Sequence, residues 1–199
     1  MRINKVALKF LSITSVLILL AIPFSSYVIK TANPFKPSGG KINATSISAY
    51  YDQNFNWNNC YGGFKCASFK VPIDYSNLNT GEFDIAVMKH DAANAVGNLV
   101  VNPGGPGGSG VDYAYSCESA FTKAVNESFN IVGFDPRGVG RSAAINCLTN
   151  AETDAAYASN SYPENDAELA QMQADSQDFA AKCKADNKAL QFYSTANAA

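Results

Sequence analysis

Residues 102–110 read NPGGPGGSG, and residues 133–142 read GFDPRGVGRS. The first stretch follows NLVV, a short apolar run that predicts a buried strand at residues 98–102. The second continues from NIVGFD, a predicted buried strand at residues 130–135. Five glycines in the nine residues 102–110 allow backbone angles closed to other residues and let the main chain approach a ligand closely. Pro103 and Pro106 stiffen the same loop. Three readings compete for it. A plain strand-to-helix turn would not need so many glycines, because each costs backbone entropy. Dinucleotide binding is suggested by Gly105-Pro106-Gly107-Gly108-Ser109-Gly110, which satisfies GxGxxG, with Asp135 ending the next strand. Against it, Pro106 falls where a helix should begin, and no Gly-Lys-Ser/Thr follows to make a P-loop. The third reading is an oxyanion hole, in which a side-chain-free bend directs a backbone N–H at negative charge building on an acyl oxygen.

Working outward, residues 66–73 (CASFKVPI) and 83–89 (FDIAVMK) predict strands joined by a polar turn at 74–82. Residues 111–129 predict one helix, and residues 166–186 a second with apolar positions three and four apart. Strands followed by a strand–loop–helix–strand unit predict an α/β sheet whose first strands are antiparallel and whose later ones are parallel.

The chain has 199 residues, 47% of them hydrophobic, and a net charge of −2. That apolar content suits a packed domain rather than a disordered chain. The near-neutral balance lacks the basic face that nucleic-acid binding requires. Before residue 47 there are six basic residues and no acidic one; after Asn150, eight acidic residues stand against three lysines, which reads as a solvated helical surface. Residues 1–9 carry three positive charges and residues 10–24 (FLSITSVLILLAIPF) are almost wholly apolar. Residues 1–30 are therefore read as a cleaved export signal or a retained membrane anchor, both of which place the rest outside the cytoplasm. Residues 31–46 (TANPFKPSGGKINATS) read as a flexible exposed linker, with folded sequence from residue 47.

Five cysteines fit an exported chain. Cys60 and Cys66 flank a Gly-Gly turn that a local disulfide could close, and Cys147 could bridge Cys183, leaving Cys117 unpaired within the chain. Zinc lacks a CxxC pair or clustered histidines, His90 being the single histidine.

The pair of a GGPG loop and D-x-R-G-x-G-x-S on the following strand resembles the α/β-hydrolase fold. More narrowly, it is similar to the exported tripeptidyl aminopeptidases and proline iminopeptidase relatives of peptidase family S33. Trp57, Cys60, Cys66-Ala67, Val71 to Tyr75, Cys147, Cys183 and Ser194 to Ala199 extend the likeness over roughly residues 50 to 199. Pro103 departs from the iminopeptidases, which carry a histidine before the two glycines. The resemblance implies an exported serine peptidase that acts on peptide N-termini through an acyl-enzyme, with no cofactor, metal or nucleic-acid partner. It also implies Gly105 as an oxyanion-hole donor, supported by Gly104, Pro106, Gly107, Asp135 and Arg137. Such an enzyme needs a serine on a G-x-S-x-G elbow, then an acid, then a histidine. None of that occurs in the required order here: Ser109 and Ser142 lack the flanking glycines, and His90 and Asp135 come too early. The expectation is that residues 47–199 form the N-terminal portion of a hydrolase domain, cut before the nucleophile elbow, with the triad and a partner for Cys117 beyond Ala199. A noncatalytic binding module and an esterase of the same fold are the alternatives.

Overall fold

The computed structural model describes residues 33–36, 39–42 and 45–198. The candidate signal or anchor, residues 1–30, lies outside the described residues. None of the described helices is long and apolar enough to cross a membrane.

Five strands form one sheet: β1 (Asn58–Cys60), β2 (Phe64–Pro72), β3 (Glu82–His90), β4 (Gly97–Val101) and β5 (Phe129–Phe134), in the order β1-β2-β3-β5-β4. β1, β2, β3 and β5 pair antiparallel in turn, whereas β4 runs parallel to β5. The sheet is thus the mixed one that the strand pattern predicts; the boundaries of β2 to β5 agree to within two residues, and β1 was not expected.

β2 alternates cleanly. Phe64, Cys66 and Ser68 face one side with Met88 and Ala86 opposite them, while Ala67 and Phe69 face the other beside Val87 and Ile85. Both faces of the β2–β3 pair are largely buried, which accounts for their nearly continuous apolar sequences. The main core gathers Cys66, Ala86, Met88, Val101 and Ile131 under Val111, Ala114 and Cys117. Those last three come from the connection between β4 and β5.

That connection is three short helices rather than the single helix expected over residues 111–129: α2 (Gly110–Tyr115), α3 (Cys117–Ala120) and α4 (Lys123–Ser128), which follow α1 (Ser48–Tyr51) in the chain. The break has local causes. Ser116 Oγ donates to the Tyr113 carbonyl, and Phe121 and Thr122 adopt extended backbone angles. The Asn126 side-chain amide then donates to the Cys117 carbonyl, which also accepts from the Phe121 amide, and to the carbonyl of Phe121, where α3 has ended.

Gly110 and Gly133 bring α2 against β5. A Cβ on Gly110 would collide with the Phe134 backbone, and one on Gly133 with the Gly110 carbonyl. Only glycine at both positions lets helix and strand approach this closely.

The linker expectation fails at Phe35. Its ring is 5% exposed within the core, its carbonyl accepts a hydrogen bond from Ser68 Oγ, and the Ile42 amide donates to Glu82. Burying an aromatic ring releases enough apolar surface to fix a segment whose Pro, Gly and Ser content favours exposure.

After β5 the chain forms α5 (Asn150–Ala158) and α6 (Asp166–Asp186), then a 3-10 turn at Leu190–Phe192 and α7 (Thr195–Ala198). α5 starts with a capping box between Thr149 and Glu152, and Asn165 caps α6 through the Glu168 amide. α6 has the expected bounds but no buried residue. Disulfides join Cys60 to Cys66 and Cys147 to Cys183, as the spacing and order of the cysteines suggested.

Candidate active site

The glycine loop leaves the sheet at the carboxyl end of β4, beside the carboxyl end of its parallel neighbour β5. Gly104 and Gly105 hold φ of +78° and +127°, angles that side chains disfavour. The Asn102 side chain accepts from the Gly104 amide, and the Gly108 amide donates to the Gly104 carbonyl. Those bonds close the bend on itself. Within the described residues the Gly105 amide makes no hydrogen bond, so the loop presents a backbone donor with no internal partner. Pro106, joined to Gly105 by a cis bond, and Gly107 complete the bend.

Asp135 lies directly behind the loop and is fully buried. One carboxylate oxygen accepts from Ser109 Oγ at 2.5 Å and from the Val111 amide at 3.1 Å. The other accepts from the Arg141 amide at 2.9 Å and lies 3.5 Å from its guanidinium. Ser109 in turn caps α2 by accepting from the Asp112 amide. Four donors meet one carboxylate, which is how a buried charge becomes tolerable.

Arg141 extends the network, pairing with Asp112 at 2.9 Å and lying over the Phe35 ring. Burial works against its charge, but the hydrogen bond to Asp112 and the two carboxylates outweigh that and raise its pKa. Ser142, also fully buried, accepts from the Ala86 amide at 2.8 Å.

Arg137 serves a different wall. It donates to the carbonyls of Ile73, Pro72 and Phe192 and lies against Tyr75 and Phe83. The expectation that it supports the glycine loop is therefore corrected. Its planar fork ties the end of β2 to the 3-10 turn, because those carbonyls otherwise lack donors at the end of the sheet.

His90 ends β3 opposite Ile131, at the other end of the sheet from the glycine loop. Cys117 is buried in the core, where desolvation raises its thiol pKa. A partner cysteine could reach it only if the core opened, because Val111, Ala114 and Ile131 belong to the same cluster. Among the described residues no cluster of three His, Cys, Asp or Glu side chains is arranged to hold a metal ion.

Sequence reasoning missed Ser109, Asp112 and Arg141 as members of the Asp135 network. The spacing of Ser109 before Asp112, at the start of a helix, was a usable capping signal. Nothing local marked Arg141 as a partner of both carboxylates.

No family profile matches the chain. Over 124 residues, 61% of the chain, it is 35% identical to serine protease Hip1 of Mycobacterium tuberculosis, covering 24% of that protein. Over 94 residues, 46% of the chain, it is 43% identical to carboxylesterase B of the same organism, covering 18% of it. Over 140 residues, 64% of the chain, it is 29% identical to tripeptidyl aminopeptidase of Streptomyces coelicolor, covering 26% of it. These relatives support a serine hydrolase family. The mixed sheet and its flanking helices are consistent with a partial α/β fold of that kind. In each comparison the aligned chain spans about a quarter or less of the relative's length.

Proposed function

We propose that this chain is the front portion of an exported serine aminopeptidase, of tripeptidyl or prolyl type within the S33-like hydrolases, that cleaves peptides through an acyl-enzyme. One observation carries the reading: the Gly105 amide has no internal partner and sits on a bend that Asp135 braces from behind. A donor held this way needs no reorganisation when charge develops on the substrate oxygen, and one such donor is worth about 3–4 kcal/mol in the transition state.

In this mechanism a serine outside the sequence attacks the acyl carbon. A histidine takes the serine proton and passes it to the departing amine, and an acid orients that histidine. The Gly105 N–H meets the oxyanion, and the residue after the serine supplies the second donor. The 199-residue chain has no G-x-S-x-G, and on this reading assays of it alone are expected to show no turnover of peptide anilides. The exposed face of β4 agrees with this reading: Val100 is 61% exposed on a parallel strand, where a crossover helix packed on that face would cover it. Export rests on residues 1–30 and the two disulfides.

The 43% identity to carboxylesterase B favours a second reading, an esterase on the same scaffold. Turnover of peptide anilides against short-acyl esters by the longer protein separates the two. For either substrate class, a structure with a boronate or phosphonate inhibitor tests the oxyanion assignment. The inhibitor oxygen should lie within hydrogen-bonding reach of the Gly105 amide, and an amide turned away from it overturns the assignment.

A further inference from the structure

The helices α5 and α6 enclose a groove of about 670 Å³, within the range of ligand-binding clefts. Leu148, Met172 and Phe179 give it an apolar floor, and Glu168, Asp175 and Asp178 stand along its walls. Neither helix has a buried residue, and Phe179 is 47% exposed. Residues 150–186 hold eight acidic side chains and two lysines, a net charge of −6 in a chain whose total is −2. The one lysine in the groove, Lys182, is already paired with Glu152 and Asp178. Below the groove, the Cys147–Cys183 disulfide and the Asn187 side-chain bond to the Asn146 carbonyl tie the two ends of the excursion together.

We propose that this groove docks a cationic peptide segment whose apolar side chains enter between α5 and α6 while its lysines or arginines face the acidic walls. The apolar floor supplies the area term of a helix-in-groove contact. The charge decides the occupant, since an acidic or neutral segment gains nothing from the walls and an acidic one is repelled. The proposal invokes no catalysis, so it stands or falls separately from the hydrolase reading.

The test uses the whole 199-residue chain and a fluorescein-labelled amphipathic peptide of leucine and lysine, with a leucine–glutamate counterpart, followed by anisotropy. The cationic peptide binds, its affinity falls as salt rises, and the acidic counterpart does not bind. Asp175→Asn with Asp178→Asn weakens binding about three- to tenfold, and Phe179→Ala weakens it as well. Asp154→Asn with Asp186→Asn, which changes net charge equally outside the groove lining, leaves binding within twofold. Circular dichroism confirms that each variant keeps its helices. Equal binding of both peptides, no binding, or equal loss in the two double variants overturns the proposal.

Discussion

Ser109 Oγ lies 2.5 Å from the buried carboxylate of Asp135, a hydrogen bond between residues 26 positions apart. The same carboxylate holds the Val111 and Arg141 amides, so one side chain fixes the exit of the glycine loop, the start of α2 and the turn after β5. The loop's own bonds close the bend at Gly104, and Asp135 fixes the point where the loop passes into α2.

Removing either partner should therefore be felt as stability. Asp135→Ala leaves several buried donors unpaired and is expected to cost about 3–5 kcal/mol. Ser109→Ala loses the cap and one bond and should cost about 1–2 kcal/mol. Urea denaturation of the 199-residue chain measures both, and a loss below about 0.5 kcal/mol for Asp135→Ala would show that the network does not brace the loop.

The glycine pair makes a steric prediction. Gly110→Ala and Gly133→Ala should each destabilise the fold by about 3 kcal/mol or more, because the new Cβ meets backbone rather than a movable side chain. Gly40→Ala, with open space around the new atom, should be nearly neutral. Thermal melts of the three variants compare them directly.

Arg137→Lys is not conservative at this site. Lysine cannot span the Pro72, Ile73 and Phe192 carbonyls as a planar fork, nor lie between Tyr75 and Phe83 in the same way. The expected loss is about 1–3 kcal/mol, read from the denaturation midpoint, with amide exchange increased at residues 190–193.

Acid should loosen the α5–α6 excursion. The Thr149 amide and hydroxyl, together with Lys182, lower the Glu152 pKa from 4.5 to about 2. A carboxylate with a depressed folded pKa stabilises the fold above its unfolded value, and that contribution fades as pH falls from about 4.5 through about 2. Glu152→Gln should flatten the pH dependence of α5 helicity in this window. An unchanged profile by NMR or circular dichroism would refute the coupling.

The Cys147–Cys183 bridge closes a loop of sequence separation 36, for which chain entropy predicts about 4 kcal/mol of stabilisation. Cys147→Ser with Cys183→Ser should expose residues 148–182 to proteolysis well before the sheet is attacked. Equal cleavage rates with and without the bridge would show that it does not staple the excursion.

The sequence by itself determined the elements whose causes are local. β2, β3, β4 and β5 were legible from apolar runs and turn residues, and α6 from its helical spacing; the cysteine order allowed both disulfides without fixing their pairing. The glycine loop was legible as a special bend because few other residues could adopt it. Tertiary structure decided what depended on distant partners. Phe35 looked like linker until the hydroxyl of Ser68, 33 residues away, donated to its carbonyl and its ring entered the core. The helix expected over residues 111–129 was broken by side-chain bonds to its own carbonyls, and Asp135 acquired Ser109 and Val111 only when β5 lay beside α2. Propensity acts over one or two helical turns, whereas burial and charge pairing depend on which surfaces the folded chain brings together, and along the sequence those surfaces lie far apart.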